Sequence, residues 1–351
     1  MDRIKVLVTG GNGFICSAFL RRVLDDQSWL DSWVSEITNL DLLTYAGDLR
    51  NLRGFDRDPR YKFEQGDICD KELVSKLMKE IDVVVHFAAE SHVTRSEDAP
   101  EVFQRTNVHG TKVLLEQAFA GGVGLFVHIS TDEVYGPALN GRYFREEEKE
   151  EGVGLATSPY AQSKAKGDDL ASSFMEKHGC KMQIIVVRPT NNFGHYQHPE
   201  KMLPRNITNL LLKKKVKIWG EGKEIRDWLY VEDTARAVEI LIRKGIEEGL
   251  IGTFNVAANN VPEVTNLEVA QMLVEILGLS QDWIQLIPDP RPDHDFRYAI
   301  NTNKIQALGW QPTKNLRKLM ELTVGWYSAN QGWWSSKKEE AEKLYANKEA
   351  K

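Results

Sequence analysis

Tyr160-Ala161-Gln162-Ser163-Lys164 sets a phenol and an ammonium four residues apart in a run that reads as helix through Leu170, so both fall on one helix face. A cation beside a tyrosine lowers its pKa from a reference of about 10, which would make a phenolate available as the general base for oxidising an alcohol. Upstream, Ser130-Thr131-Asp132-Glu133-Val134-Tyr135-Gly136 follows an apolar run at 125–129 and offers two adjacent acids where a parallel strand would end. Neighbouring side chains on extended chain point opposite ways, so Asp132 and Glu133 can serve one substrate only if the chain turns, as Gly136 would allow. Without such a turn they are solvated loop residues or helix caps.

The run 4–9 leads into Gly10-Gly11-Asn12-Gly13-Phe14-Ile15-Cys16, after which a helical pattern begins near Ala18. Glycines there let backbone amides approach a pyrophosphate, and a helix N-terminus adds favourable electrostatics. The placement between strand and helix, more than the glycines themselves, marks a dinucleotide-binding turn. The next strand ends at Asp41, a carboxylate that would accept hydrogen bonds from a ribose and repel a 2′-phosphate, favouring NAD over NADP. A plain turn former at a strand end is the other reading of Asp41. Its distance from the glycines exceeds the usual gap of about twenty residues, which the segment 26–33 accounts for. Cys16 is either a small packing residue between helix and strand or a thiolate stabilised at a helix N-terminus.

Elements that could position these groups recur along the chain. Apolar, β-branched runs at 4–9, 37–41, 61–64, 83–87, 125–129 and 182–187 alternate with helical patterns. Continuous rather than alternating apolar strands imply a parallel sheet covered on both faces, hence an α/β, Rossmann-like doubly wound domain over 1–189. After Pro189 the rhythm changes: Pro199-Glu200-Lys201 opens a helix, Gly220-Glu221-Gly222 makes a turn, a helix runs over 231–243, and 288–292 is proline-rich. These shorter elements predict a smaller, mixed α/β substrate-binding lobe over 190–335, with segments of the first domain interleaved. The charged tail, 336–351, reads as a frayed helix without assigned function.

With 351 residues, 42% hydrophobic and 27% charged, the chain can bury a substantial core. Its formal net charge of -6 shows no basic bias toward nucleic acid. No apolar run is long enough for a membrane span or a signal h-region. Cys16, Cys69 and Cys180 are far apart and lack metal or redox spacing, which fits a reducing cytoplasm and predicts no metal site.

From Val6 to about Trp326 the sequence resembles the dTDP-glucose 4,6-dehydratases, an extended short-chain dehydrogenase/reductase family. The resemblance is carried by Phe87-Ala88-Ala89-Glu90-Ser91-His92-Val93, Ser130 to Gly136, Tyr160 to Lys164, Asn191-Asn192-Phe193-Gly194, Pro199-Glu200-Lys201, Arg226 to Asp233, and His294 to Ile300. It implies a homodimeric, NAD-dependent enzyme acting on a nucleoside-diphospho-glucose, with dTDP-glucose favoured. Tyr160 would deprotonate the glucose 4-hydroxyl with Lys164 and Thr131 assisting, Glu133 would take the carbon 5 proton, and Asp132 would protonate the departing 6-hydroxyl. By the same resemblance the cofactor is held by Gly10, Gly13, Phe14, Ile15, Asp41, Leu43, Thr44, Asp67, Ile68, Phe87, Ala88, Ala89, Thr106 and Asn192, together with Tyr160 and Lys164. The substrate falls to Ser91, Thr131, Asn191, Lys201, Met202, Arg226, Asn266, His294 and Tyr298. Arg226 suits paired bonds to phosphate, although an ion pair with Asp227 or Glu232 is its alternative. Leu42, Thr94, Thr234 and Asp293 depart from the family pattern, and none of them removes a catalytic group.

Two competing readings share parts of this pattern. A sugar-nucleotide 4-epimerase or a decarboxylase would use the glycine turn and the Tyr160/Lys164 pair without needing both acids. A catalytically silent NAD-sensing protein would show a damaged catalytic set, whereas Thr131, Asp132, Glu133, Tyr160 and Lys164 are all present.

Overall fold

Val6 and Val8 pack into one apolar cluster and Leu7, between them, into another. Side chains alternate across a strand, so a strand apolar at every position must be covered on both faces. In the structure, a computed structural model that describes residues 3–25, 28–139, 141–149, 156–289 and 295–349, with side chains to 346, that strand lies inside a seven-stranded parallel sheet. Its strands are β1 (Ile4–Thr9), β2 (Val34–Asp41), β3 (Tyr61–Gln65), β4 (Val83–His86), β5 (Leu125–Ile129), β6 (Gln183–Pro189) and β7 (Gly252–Val256). They are ordered β7-β6-β5-β4-β1-β2-β3. The helices Phe14–Leu24 and Val231–Glu248 cover one face, and Lys71–Leu77, Thr111–Gly121 and Pro159–His178 cover the other. The doubly wound α/β fold expected from the continuous apolar runs is the fold observed. The order of strand addition reverses between β1 and β4, which puts the crevice for ligands beyond their carboxyl ends.

A second apolar cluster gathers Phe193, Leu203, Ile207, Val269, Leu273, Met320 and Val324. It is framed by the helices Met202–Leu211, Asn266–Ile276 and Leu316–Ala329 and by three two-stranded ladders. The helix Val231–Glu248 and β7 come later in sequence than much of this lobe, yet they pack into the first core, as does Trp310. The sequence reading contained no strand at β7 because Thr253 and Asn255 interrupt its apolar run. In the structure Asn255 is locked by the Tyr135 hydroxyl at 2.9 Å and the Glu146 carboxylate at 3.0 Å.

The tail departs from its expectation. A helix runs over Gln331–Glu349 and docks on both lobes. Trp333 Nε1 donates to Asn51 Oδ1 at 2.9 Å, Lys337 lies 2.8 Å from the Asp48 carboxylate, and Lys338 Nζ donates to the Arg205 carbonyl at 3.0 Å. Trp334, Ala341 and Tyr345 are buried at near-helical spacing, an apolar stripe that the surrounding lysines and glutamates mask in the sequence. The segment at 26–27 and residues 350–351 lie outside the described residues.

One buried ion pair fixes the region under the helix Pro159–His178. Arg188 and Asp168 are both fully buried and meet through two bonds, Nε to Oδ2 at 2.9 Å and Nη2 to Oδ1 at 2.8 Å. Lys149 approaches the same carboxylate at 3.6 Å. Arg188→Met would strand most of that buried charge, and the expected loss is about 3–5 kcal/mol. Chemical denaturation followed by circular dichroism checks it, and a loss below about 1 kcal/mol would show the carboxylate satisfied without Arg188.

Candidate active site

The glycine turn begins where β1 and β4 run side by side, Thr9 opposite His86. Gly10 has φ +74° and lies so close to the chain after β4 that a Cβ there would sit 2.8 Å from the Ala88 backbone. Any other residue would be both strained and obstructed. Gly13 caps the helix, which starts at Phe14 rather than near Ala18. Its first amides therefore open directly onto the crevice.

Asp41 ends β2 and accepts from the Asn12 amide at 2.9 Å and the Leu43 amide at 2.8 Å. The carboxylate thus organises the turn and also lines the cavity beside it. Leu43 is held by this bond at φ +56° and is absent from the lining, so it differs from the other expected cofactor contacts. Cys16 is buried and its thiol is pushed up by burial, with the charge of Asp41 adding, which makes it a packing residue and not a reactive thiolate.

The crevice comprises two adjoining cavities. One, of ≈ 300 Å³, is walled by Gly10, Gly13, Phe14, Ile15, Asp41, Thr44, Asp67, Ile68, Phe87, Ala88, Ala89, Thr106, Thr131, Asp132, Tyr160, Lys164 and Asn192, among others. The other, of ≈ 230 Å³, is walled by Met202, Arg226, Asn266 and Tyr298, together with Trp219, Arg205 and Tyr345. Ser91, Glu133, Asn191, Glu200 and Lys201 belong to both. His294 and Asp293 lie outside the described residues.

The two acids face one space because the chain turns at once after β5. Asp132–Tyr135 is a single 3-10 turn, started by Thr131, whose hydroxyl accepts from the Glu133 amide at 3.3 Å, and ended by Gly136 at φ +73°. Thr131 Oγ1 donates to Asp132 Oδ1 at 3.2 Å. Among the described residues, Asp132 Oδ2 and Asn191 Oδ1 are buried without a hydrogen-bond partner, the condition of polar atoms that await a ligand.

The helix Pro159–His178 supplies the phenol and the ammonium. Ser158 caps it through the Ala161 amide at 3.0 Å, and Lys164 Nζ donates to the Ile129 carbonyl at 2.6 Å. Burial lowers Lys164 to about 8, with Asp168 opposing. Burial pushes the Tyr160 phenol up, with the charge of Glu133 adding and the Thr131 hydroxyl opposing. The lysine four residues on implies a lowered phenol; in the protein alone, desolvation and the neighbouring acids raise it instead. Burial also raises Asp132, with Glu133 next, and raises Glu133 to about 7 against Arg226 and Lys201. Two neighbouring carboxyls thus tend to hold different protonation states, the arrangement that separates an acid from a base.

Arg226 donates to the carbonyls of Ile225 at 2.7 Å and Asp295 at 2.7 Å. Asp227 meanwhile accepts from Thr190 Oγ1 and from the amides of Ala258 and Asn260, so it is engaged elsewhere. Lys201 Nζ donates to the Ser91 carbonyl at 2.6 Å. Thr234, where the family pattern has histidine, donates to Asn192 Oδ1 at 2.6 Å. Trp219, Arg205, Glu200 and Tyr345 were not singled out from the sequence; the aromatic before the Gly220 turn and the apolar stripe in the tail were the available signals. Among the described residues no cluster of His, Cys, Asp and Glu could hold a metal, and no helix is long and apolar enough to cross a membrane.

Comparison with known proteins places this geometry. The model of the NAD dependent epimerase/dehydratase family matches residues 6–257. A dTDP-glucose 4,6-dehydratase of Streptomyces niveus is 41% identical over 332 residues, covering 94% of this chain and 95% of that one. The crystal structure of DesIV, a dTDP-glucose 4,6-dehydratase from Streptomyces venezuelae with NAD and TYD bound, superposes with a TM-score of 0.87 at 38% identity over 95% of this chain and 100% of that one. A UDP-glucose 4-epimerase from Thermotoga maritima with UDP-glucose has a TM-score of 0.81 at 25% identity over 93% of this chain and 100% of that one.

The position of Asp41 predicts that NAD binds at least about tenfold more tightly than NADP, because a carboxylate repels a 2′-phosphate. Asp41→Ala should weaken NAD binding and narrow that preference. Fluorescence titration with both dinucleotides checks this, and equal affinities for the parent would remove Asp41 from the ribose site.

Proposed function

The chain belongs to the NAD dependent epimerase/dehydratase family and, within it, to the dTDP-glucose 4,6-dehydratases, and from that premise we propose that it converts dTDP-glucose to the 4-keto-6-deoxy sugar nucleotide and water. The carrying observation is the pair Asp132 and Glu133, turned into one crevice beside Tyr160. A 4-epimerase needs only the oxidation and reduction at carbon 4, so a second acid and base next to the phenol favour the dehydratase. Homodimer assembly rests on the resemblance, and a cytoplasmic location on three unpaired cysteines.

The residues fit an NAD-type dinucleotide: the Gly10 approach to Ala88 leaves backbone amides for the pyrophosphate, Asp41 stands for a ribose, and Thr106 and Asn192 line the same cavity beside Tyr160. When bound, NAD would supply a hydride acceptor for carbon 4 and, once reduced, a hydride donor for carbon 6. Tyr160, as its phenolate, takes the proton of the 4-hydroxyl as the ketone forms, with Thr131 bonded nearby and Lys164 fixing the helix. The ketone acidifies the carbon 5 hydrogen, which Glu133 removes as a proton. Asp132, kept protonated by burial, donates to the leaving 6-hydroxyl and releases water. Glu133 then returns its proton to carbon 5, and solvent exchange resets Tyr160 and Asp132. Arg226 and Lys201 supply positive charge for the diphosphate.

Replacements at the two halves of this sequence should fail differently. Tyr160→Phe should form no reduced cofactor on mixing with dTDP-glucose, with turnover lowered at least about 100-fold. Asp132→Asn should oxidise the sugar but not lose water, so enzyme-bound NADH should accumulate in stopped-flow absorbance. Dehydration at the parent rate by both Asp132→Asn and Glu133→Gln would show that the two acids are turn residues and that other groups carry out the elimination.

The acid and base also set a pH profile. Glu133 works ionised and sits at about 7, so the rate should rise with pH through that value. Lys164 sits at about 8 and loses its charge above it, so the rate should fall again. Exchange of the carbon 5 hydrogen with deuterated buffer should show the acidic limb in the parent and lose it in Glu133→Gln.

A further inference from the structure

Part of the wall of the ≈ 230 Å³ cavity comes from an element that the reaction above does not use, the helix Gln331–Glu349, through Tyr345. Tyr345 is 7% exposed and lines that cavity. Its hydroxyl donates to the Glu200 carbonyl at 2.5 Å, its ring meets Trp219 edge to face at 5.8 Å, and the Arg205 guanidinium lies 3.6 Å over its centroid. The helix is clamped beneath this point. Arg205 Nε reaches Glu342 at 3.0 Å, and Lys338, itself buried, donates to Glu342 at 2.6 Å and to the Arg205 carbonyl at 3.0 Å. A tail merely lying on the surface would not share a cavity wall, a buried lysine and a stacked arginine with the lobe beneath it.

We infer that Tyr345 is a positioning and specificity-determining residue for the nucleobase, so that the last helix forms the base-side wall of the substrate pocket. This rests on the nucleoside-diphospho-sugar reading, through the order of groups along the cavity. Glu133 belongs to both cavities and marks where carbons 5 and 6 of the sugar must lie. Lys201 and Arg226 line the cavity that continues from it and suit the diphosphate. The aromatic corner of Trp219 and Tyr345 is left for the base. A flat heterocycle placed beside these two rings can take up the stacked or edge-on approaches that aromatic quadrupoles favour. The Glu200 bond holds the Tyr345 ring still, so little side-chain freedom is lost when a base arrives. Glu200 is in turn fixed by the Tyr45 hydroxyl at 2.9 Å and Arg95 at 3.0 Å, which ties this corner to the wall around the sugar.

Calorimetric titration of the NAD-loaded protein with dTDP, and steady-state kinetics with dTDP-glucose, test the assignment on the parent, Tyr345→Phe and Tyr345→Ala, with thermal melting as the control for folding. Tyr345→Ala should weaken dTDP binding and raise KM about tenfold while kcat stays within about twofold. Tyr345→Phe keeps the ring and should remain within about threefold of the parent on both measures. A Tyr345→Ala protein that melts like the parent and binds dTDP equally well overturns the inference and leaves the dehydratase reading intact, as does a fall in kcat with KM unmoved. A parent that neither binds dTDP nor converts dTDP-glucose overturns both. Should Tyr345→Ala fail to fold, Tyr345→Leu, which fills the space without an aromatic face, decides by the same two measurements.

Discussion

The bond from Lys164 Nζ to the Ile129 carbonyl, 2.6 Å long, ties the first turns of the helix Pro159–His178 to the end of β5. Tyr160 stands one turn before that lysine, and Thr131 to Glu133 follow that carbonyl almost at once. A single contact therefore sets the phenol against the two acids. One turn further along, Asp168 faces Lys164 electrostatically and is itself gripped by Arg188 from β6. Residues 160, 164 and 168 repeat every four positions on one helix face, so their spacing converts one anchored lysine into an aligned row. Loss of register along this helix would scatter Tyr160, Lys164 and Asp168.

Burial then gives these groups their character. It pushes Tyr160, Asp132 and Glu133 toward their neutral forms and lowers Lys164 as well. The charges that remain beside Tyr160 act through a poorly screening medium, where a developing charge on a substrate is felt strongly. The same desolvation would destabilise an isolated site. Here the seven-stranded sheet, filled by apolar residues on both faces, provides the rigid frame that holds such groups in place.

The sheet and its rim were legible in the sequence because both are local patterns. Val6, Leu7 and Val8 announce a strand covered on both sides, and the glycines after Thr9 announce the dinucleotide-binding turn at its end. The turn at Asp132 was legible only as a condition, since adjacent acids converge or diverge depending on backbone angles that Gly136 permits but does not dictate. Two elements stayed hidden. β7 is too polar to stand out, and its Asn255 is explained by Tyr135, Phe144 and Glu146, more than a hundred residues away. The last helix looked like a solvated tail because its lysines and glutamates outnumber its apolar stripe, and their partners Asp48 and Arg205 are distant in sequence. The direction of the Tyr160 shift was misread for a related reason: the sequence shows that a cation is near but not how dry its surroundings are.

The route of the chain between the two apolar clusters carries one more consequence. Residues up to Pro189 build the first, Phe193 to Trp228 the second, Ala235 to Ala258 the first again, Val269 to Val274 the second, Ile305 and Trp310 the first, and Leu319 to Trp334 the second. The lobes are thus stitched by several parallel connections instead of hung from a single linker. A break in any one connection would leave them joined by the others. Mechanically such a joint resembles a piano hinge: twisting and sliding are resisted because every connection would have to yield together, and the motion left is a small opening and closing of the crevice mouth.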